Sequence, residues 1–181
     1  MQVGHVPFAC LHTRVKASLT SGVVATVEKW HNAADRALGL PPDDTISVED
    51  NLLLNGGIAD LLNQLCGLGS PAVYGTASYI GVGNSTTAAS ASQTGLSAGT
   101  SNRSYKAMAS TFPSLSGQTM TWKSVWASGD GNFAWEEWSI RSATSGVGGE
   151  DTGTALNRKV ASLGTKASGS EWTLTVTITV S

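Results

Sequence analysis

The chain has 181 residues and a formal net charge of −2, with 40 % hydrophobic but only 13 % charged residues. This hydrophobic content excludes a disordered chain, and the lack of a basic stripe argues against direct nucleic-acid binding. No apolar run approaches the roughly 20 residues of a membrane-spanning helix. Polarity comes instead from 23 Ser, 20 Thr and 21 Gly residues. That composition is typical of β-rich proteins that pack against copies or partners.

The N-terminal stretch MQVGHVPFACLHTRVK has no basic region followed by an apolar run, so it does not predict a signal peptide. Apolar and polar residues alternate over residues 15–19 and again over residues 23–27, with Ser21 and Gly22 between the two runs. This pattern predicts two strands joined by a tight turn.

The stretch NAADRALGLPPDDT predicts a helical turn and then a loop, because Gly39 and two prolines interrupt it. We assign residues 1–48 to an N-terminal arm or β-hairpin segment and residues 49–181 to a domain that combines a helix with a β-sandwich. The arm is expected to add a strand to a sheet edge of a neighbouring molecule.

The stretch EDNLLLNGGIADLLNQLC, residues 49–66, predicts the one clear helix. Gly56 and Gly57 are unfavourable inside a helix, which indicates either a close packing contact there or a helix that begins only after Asn55. We expect the apolar face to support a sheet, and a partner-binding helix is the alternative. That face comprises Leu54, Ile58, Leu61, Leu62 and Leu65.

From Val73 onward the patterning is β, and the last strand alternates apolar residues with threonines. Several short strands at regular spacing favour a fold that is mainly β with one clear α-helix, an antiparallel β-sandwich or barrel with an N-terminal arm or hairpin. The predicted strands are Val73–Val82, Lys106–Ala109, Gln118–Trp126, Trp135–Ser142, Ala155–Ser162 and Glu171–Val180.

Gly81-Val82-Gly83 follows an apolar run, as in the start of a phosphate-binding loop. The dinucleotide fingerprint needs a third glycine where Thr86 stands, and a P-loop needs a lysine that this region lacks. The motif therefore predicts the end of a strand with a tight turn, where the glycines provide positive-φ freedom.

The stretch SGDGNFAWEEW fails the spacing of a calcium loop. Glu136 and Glu137 are adjacent on a strand and point to opposite faces, so we expect them to be solvated or paired rather than to form an acid/base pair. His5, His12 and His31 show no metal-site spacing. We assign no catalytic, cofactor-binding or metal-binding residue.

The two cysteines, Cys10 and Cys66, could form one disulfide, but two buried free thiols are the favoured interpretation. The six tryptophans are expected to fill the core and subunit interfaces. An exposed aromatic platform for carbohydrate is the alternative. The interface candidates are Trp122, Trp126, Trp138, Thr173, Thr175 and Thr177.

Five stretches carry a resemblance that extends from about residue 50 to the end of the chain. Together they resemble a family of virion structural proteins of tailed bacteriophages, encoded among head and tail genes. The resemblance implies a particle component and supplies no catalytic residues. The stretches are NLLLNGGIADLL (51–62), YIGVGNSTTAASASQTGL (79–96), YKAMASTFP (105–113), NFAWEEWSI (132–140) and LNRKVASLGTKASGSEWTLTVTITVS (156–181).

A small, β-rich, weakly charged member of such a family is expected to be a capsid decoration (cement) protein, or minor capsid protein. It would bind the outside of the head, bridge neighbouring major capsid subunits and form a homotrimer or another symmetric oligomer. We expect it in the virion, after assembly in the host cytoplasm, with no cofactor, nucleic-acid or membrane partner. The alternatives are a tail or baseplate component and a host-surface glycan-binding module.

Overall fold

The computed structural model describes residues 22–68, 74–142 and 153–180. These residues form ten β-strands and two α-helices. The strands make two antiparallel sheets of five strands each. The predicted fold class, mainly β with one clear helix, is confirmed, and the arrangement is that of a β-sandwich.

The first sheet is built from strands β1 (Val23–Trp30), β2 (Asp44–Glu49), β6 (Ser114–Ser116), β7 (Thr119–Trp126) and β10 (Glu171–Thr179). Their order across the sheet is β2-β1-β10-β7-β6. Because side chains alternate along a strand, the apolar residues of β10 point into the core. Its Leu174 and Val176 are fully buried, as the clean alternation of this segment predicts.

The second sheet is built from strands β3 (Leu52–Leu53), β4 (Tyr79–Gly83), β5 (Arg103–Ala107), β8 (Ala134–Arg141) and β9 (Asn157–Thr165). Their order is β3-β9-β8-β4-β5. The β8–β9 register shifts between Trp135 and Glu137. This irregularity lets both Trp135 and Trp138 join the core, although they are three positions apart and would face opposite sides of a regular strand.

Two α-helices and a short 3₁₀ helix (Thr100–Asn102) complete the secondary structure of the described residues. Helix α1 (Ala33–Ala37) is the predicted helical turn, and its N-cap Asn32 accepts a hydrogen bond from the backbone N–H of Asp35 at 3.0 Å. Helix α2 (Asn55–Leu65) is the predicted clear helix. It begins at Asn55 because β3 occupies the preceding residues.

The N-terminal assignment changes in the structure. The first strand of the predicted hairpin, within residues 15–19, lies outside the described residues. The second is β1, which is hydrogen-bonded to β10 on one side and to β2 on the other. β1 therefore offers no open edge to a hairpin partner. Residues 23–48, assigned above to the arm, contain β1, α1 and most of β2, and both strands belong to the first sheet.

Three buried tryptophans, drawn from both sheets, pack against one another in the core. Trp135 meets Trp126 and Trp172 edge-to-face, with ring centroids 4.8 and 4.9 Å apart. Edge-to-face geometry is favoured because the positive ring edge faces the negative ring surface. The rings join the two sheets at the end of the sandwich where β1 finishes.

Helix α2 lies directly on the backbone that leads into β9. A Cβ atom at Gly57 would lie 2.4 Å from the carbonyl oxygen of Leu156. The same carbonyl accepts a 3.0 Å hydrogen bond from the backbone N–H of Leu54. The glycine thus permits a backbone-to-backbone contact, the close packing that its unfavourable helical position indicates.

Replacing Gly57 by alanine should therefore lower the free energy of unfolding by about 1–3 kcal/mol, because the new methyl group meets backbone that cannot move aside. Helix propensity alone predicts the opposite, a gain of about 1 kcal/mol. Gly56→Ala is the matched control, since its Cβ would meet only the Thr154 side chain at 2.9 Å. Urea unfolding of both variants distinguishes the two predictions. A stabilised Gly57→Ala protein would contradict the close contact between Gly57 and the backbone of Leu156.

Candidate interaction surface

A long loop, residues 84–99, covers the outer face of the second sheet. It is anchored by Glu137 of β8 and Arg158 of β9, both fully buried. Arg158 Nε donates to Glu137 Oε2 at 2.6 Å. Two ions buried together require further hydrogen bonds to compensate for lost hydration.

The loop provides those further hydrogen bonds. Arg158 donates to the carbonyl oxygen of Thr87 at 2.9 Å and to Gln93 Oε1 at 2.9 Å. The other end of the loop donates its backbone N–H groups to Glu137, from Ser97 at 3.1 Å and from Ala98 at 2.8 Å. One ion pair therefore fixes both ends of a loop that has no regular secondary structure.

The glycines of the Gly81-Val82-Gly83 motif make room for this arrangement. A Cβ at Gly83 would lie 2.5 Å from Glu137 Oε1, and a Cβ at Gly81 would lie 2.2 Å from the Tyr105 ring. Neither glycine has a positive φ. The expectation that they supply turning freedom is thus wrong, because close approach of neighbouring side chains requires them.

Tyr105 packs beneath the loop, with the Arg141 guanidinium 5.1 Å from its ring centroid. Burial raises the pKa of the Tyr105 phenol to about 12. Burial, together with Asp60, also raises the pKa of the Tyr74 phenol above its ordinary value. Both phenols therefore remain neutral well above the pH at which an exposed tyrosine ionises.

An alkaline titration should show this burial. The stability that the neutral phenols contribute is fully present below the ordinary tyrosine pKa of about 10. It is lost as the pH rises toward the folded-state pKa, so the free energy of unfolding should fall above about pH 10. Phenolate absorbance of the folded protein should include a component near pH 12 that Tyr105→Phe removes. If the component near pH 12 persisted in Tyr105→Phe, that result would contradict the burial of Tyr105.

The outward face of α2 is apolar. Ile58, Leu62 and Leu65 are 39 %, 55 % and 83 % exposed, and Leu68 just beyond the helix is 79 % exposed. The predicted single apolar face is therefore not buried as expected. Only Leu54, which is buried, and Leu61, which packs against the core, support the sheets. Gly57 brings the other side of the helix to β9 and leaves the leucines outside.

The exposed helix face and the loop adjoin each other and carry no charge along most of their length. Residues 61–102 contain no Asp, Glu, Lys, Arg or His. The N–H of Asn55 at the start of α2 donates to the carbonyl oxygen of Ala91 at 2.8 Å. We call the outward side chains of α2 and of residues 84–99 the neutral surface. Exposed large apolar side chains such as Leu62 and Leu65 favour a protein interaction site on this surface.

The tryptophan interface candidates lie elsewhere than expected. Trp122, Trp126 and Trp138 are 4 %, 0 % and 0 % exposed and belong to the core. Trp122 Nε1 donates to the carbonyl oxygen of Tyr74 at 3.0 Å, and Trp126 Nε1 donates to Ser104 Oγ at 3.2 Å. These indoles offer no surface to a partner, since aromatic rings on an inward strand face pack between the sheets.

The threonine candidates lie on the outer face of the first sheet. Thr173 is buried and donates to Glu28 Oε2 at 3.0 Å. Thr175 and Thr177 are partly buried. Each stands opposite a residue of β1 on one side and of β7 on the other. Of the predicted interface residues, these two retain accessible surface, on the outer face of the first sheet.

The other acidic candidates have partners or solvent. Asp130 pairs with Lys106 at 2.6 Å. Glu136 accepts a 3.1 Å hydrogen bond from Ser162, whereas Glu137 lies beneath the loop, so the adjacent carboxylates do point apart. Within the described ranges, no three His, Cys, Asp or Glu side chains come together as a metal site would require. Among the same residues, no helix is long and apolar enough to cross a membrane.

Cys66 departs from the expectation of two buried thiols. It follows the last residue of α2, is exposed and is not in a disulfide. Cys10 lies outside the described residues.

The chain matches no protein-family model, no curated protein and no solved structure.

Proposed function

We propose that this chain is a non-enzymatic structural protein of a tailed-phage virion, a capsid decoration protein that binds the outside of the head. It would stabilise contacts between major capsid subunits and form a symmetric oligomer. The sequence stretches named above suggest the family. The observation that carries the proposed role is the neutral surface.

The neutral surface suits binding to protein. Its exposed leucines would lose contact with water at an interface, which contributes roughly 25 cal/mol per Å² of apolar area. It carries no charge over residues 61–102, so a partner of either sign can approach without repulsion. Because Glu137 and Arg158 fix the loop beforehand, little conformational entropy is lost on binding. A decoration protein repeats such a modest interface by symmetry around the particle.

The burial of the tryptophans argues against the glycan-binding alternative. That alternative needed tryptophans on the surface, as in aromatic sugar platforms. All six tryptophans of the chain are at most 7 % exposed. A tail or baseplate component remains the second candidate, since a neutral protein-binding surface would serve there equally well.

Co-sedimentation tests the proposal. The purified protein is mixed with phage shells that lack it, both as unexpanded procapsids and as expanded heads. Saturable binding to expanded heads is the expected result, with a copy number that matches the symmetry of the shell. Absence of binding to both forms would overturn the capsid role, and labelling of whole virions would then test the tail.

A further inference from the structure

An apolar groove of about 550 Å³ opens between the two sheets. It lies at the end of the sandwich where β1 begins and β10 finishes. This volume is within the range of ordinary binding pockets. The groove extends the core to the surface, because several of its walls are core residues. These walls include Val23, Leu61, Met120, Trp122, Leu156 and Ile178.

The lining of the groove is uncharged. None of the described residues around it is Asp, Glu, Lys, Arg or His. Gln64 and Gln118 supply the amide groups. Leu115 and Val180, also in the lining, are 68 % and 50 % exposed. An apolar groove edged by amides suits an apolar peptide segment, whose backbone needs a few hydrogen-bond partners.

The chain itself supplies such a segment next to the groove. Val23, the first residue of β1, is a wall of the groove, and residues 1–22 precede it. Residues 1–13 contain no Asp, Glu, Lys or Arg, and residues 6–11 read VPFACL. A chain of n residues spans at most about 3.3–3.6 Å per residue. The residues between Leu11 and Val23 are therefore long enough to return residues 6–11 to the groove.

The predicted hairpin with β1 does not provide a place for the N-terminal apolar side chains. Both edges of β1 are hydrogen-bonded, to β10 and to β2, so β1 has no free edge for residues 15–19. Docking of the VPFACL segment in the groove would bury the apolar surfaces of both and would thereby stabilise the protein. We propose that the groove is the docking site of residues 6–11 of the same chain.

Site-specific photocrosslinking of the full chain tests this docking. The photoreactive analogue p-benzoylphenylalanine replaces Phe8 in one protein and Leu11 in a second, and mass spectrometry locates the adducts. The expected adducts join position 8 or 11 to groove residues such as Met120 and Trp122 within a single chain. The same analogue at Leu38, which is 76 % exposed near α1, is the control and should give no groove adduct.

A rim variant adds an independent check. Leu115→Glu with Val180→Glu places two carboxylates at exposed positions of the rim, where they should not disturb folding. The groove adduct should be lost in this variant. Groove adducts that join two chains would overturn the proposal in favour of a second copy as the occupant. Adducts only outside the groove, or none from either position, would overturn it entirely.

Discussion

Replacing Arg158 by methionine should lower the free energy of unfolding by about 3–5 kcal/mol, because it leaves the Glu137 carboxylate buried without its counter-ion. The variant also removes the donors that hold the carbonyl of Thr87 and the side chain of Gln93. Urea unfolding measures the loss, which is a large part of the usual 5–15 kcal/mol stability of a domain. Hydrogen exchange should show faster exchange at the N–H groups of Ser97 and Ala98.

The adjacent Lys159→Met variant is the control for removing a positive charge from β9. Lys159 is only partly buried, so its loss should change the stability by less than about 1 kcal/mol. Adding Glu137→Leu to Arg158→Met should recover only part of the loss, because the double variant leaves loop backbone groups without partners. A loss below about 1 kcal/mol for Arg158→Met alone would contradict the anchoring role of the pair.

Replacing Trp135 by alanine should lower the free energy of unfolding by about 3–5 kcal/mol, the usual effect of truncating a large aromatic residue in a core. Trp135 is fully buried between the rings of Trp126 and Trp172. Its Nε1 also donates to the carbonyl oxygen of Gly131 at 2.9 Å, which fixes the turn before β8. Chemical denaturation followed by circular dichroism provides the measurement.

Trp135→Phe separates the two contributions at this position. Phenylalanine keeps an aromatic ring between the neighbouring indoles but cannot donate to Gly131, so its loss of stability should be clearly smaller. The core account fails if alanine is tolerated at a loss below about 1.5 kcal/mol, less than half of the expected effect.

Strands with one buried face could be predicted from the sequence. The predicted Glu171–Val180 and Gln118–Trp126 differ from β10 and β7 by one residue at one end. Their alternation follows directly from the two environments on either side of a sheet. β2 was missed because it is a short edge strand in which only Ile46 and Val48 are apolar, so its alternation is too brief to mark a strand. The short β3 was included in the predicted helix because its two leucines continue the apolar run that precedes α2.

The anchoring pair could not be predicted, because its members are 21 residues apart and bind a loop about 40 residues away from Glu137. No local pattern shows that a charged residue on a strand will be buried. The available signal was indirect. A long loop without charge or regular structure, next to two glycines on a strand, indicates that something must pack against that strand.

Part of the neutral surface could be predicted from the sequence. Helical spacing identified the apolar face of α2, but periodicity does not show what covers a face. The backbone contact at Gly57 decides this, since it turns Leu62 and Leu65 away from the core. For the tryptophans, composition predicted both core and interface, and only the structure shows that all six are buried and that five of them belong to the core cluster.

Shell binding by a charge variant of the neutral surface tests the central claim most directly. Leu62→Glu with Leu65→Glu alters only exposed side chains, and Leu38→Glu, at 76 % exposure far from this surface, is the matched control. We expect the control to bind expanded heads like the wild type, whereas the double variant should bind at least about ten-fold more weakly, a change of 1.4 kcal/mol. Equal binding of the double variant and the wild type would contradict the neutral surface as the capsid interface.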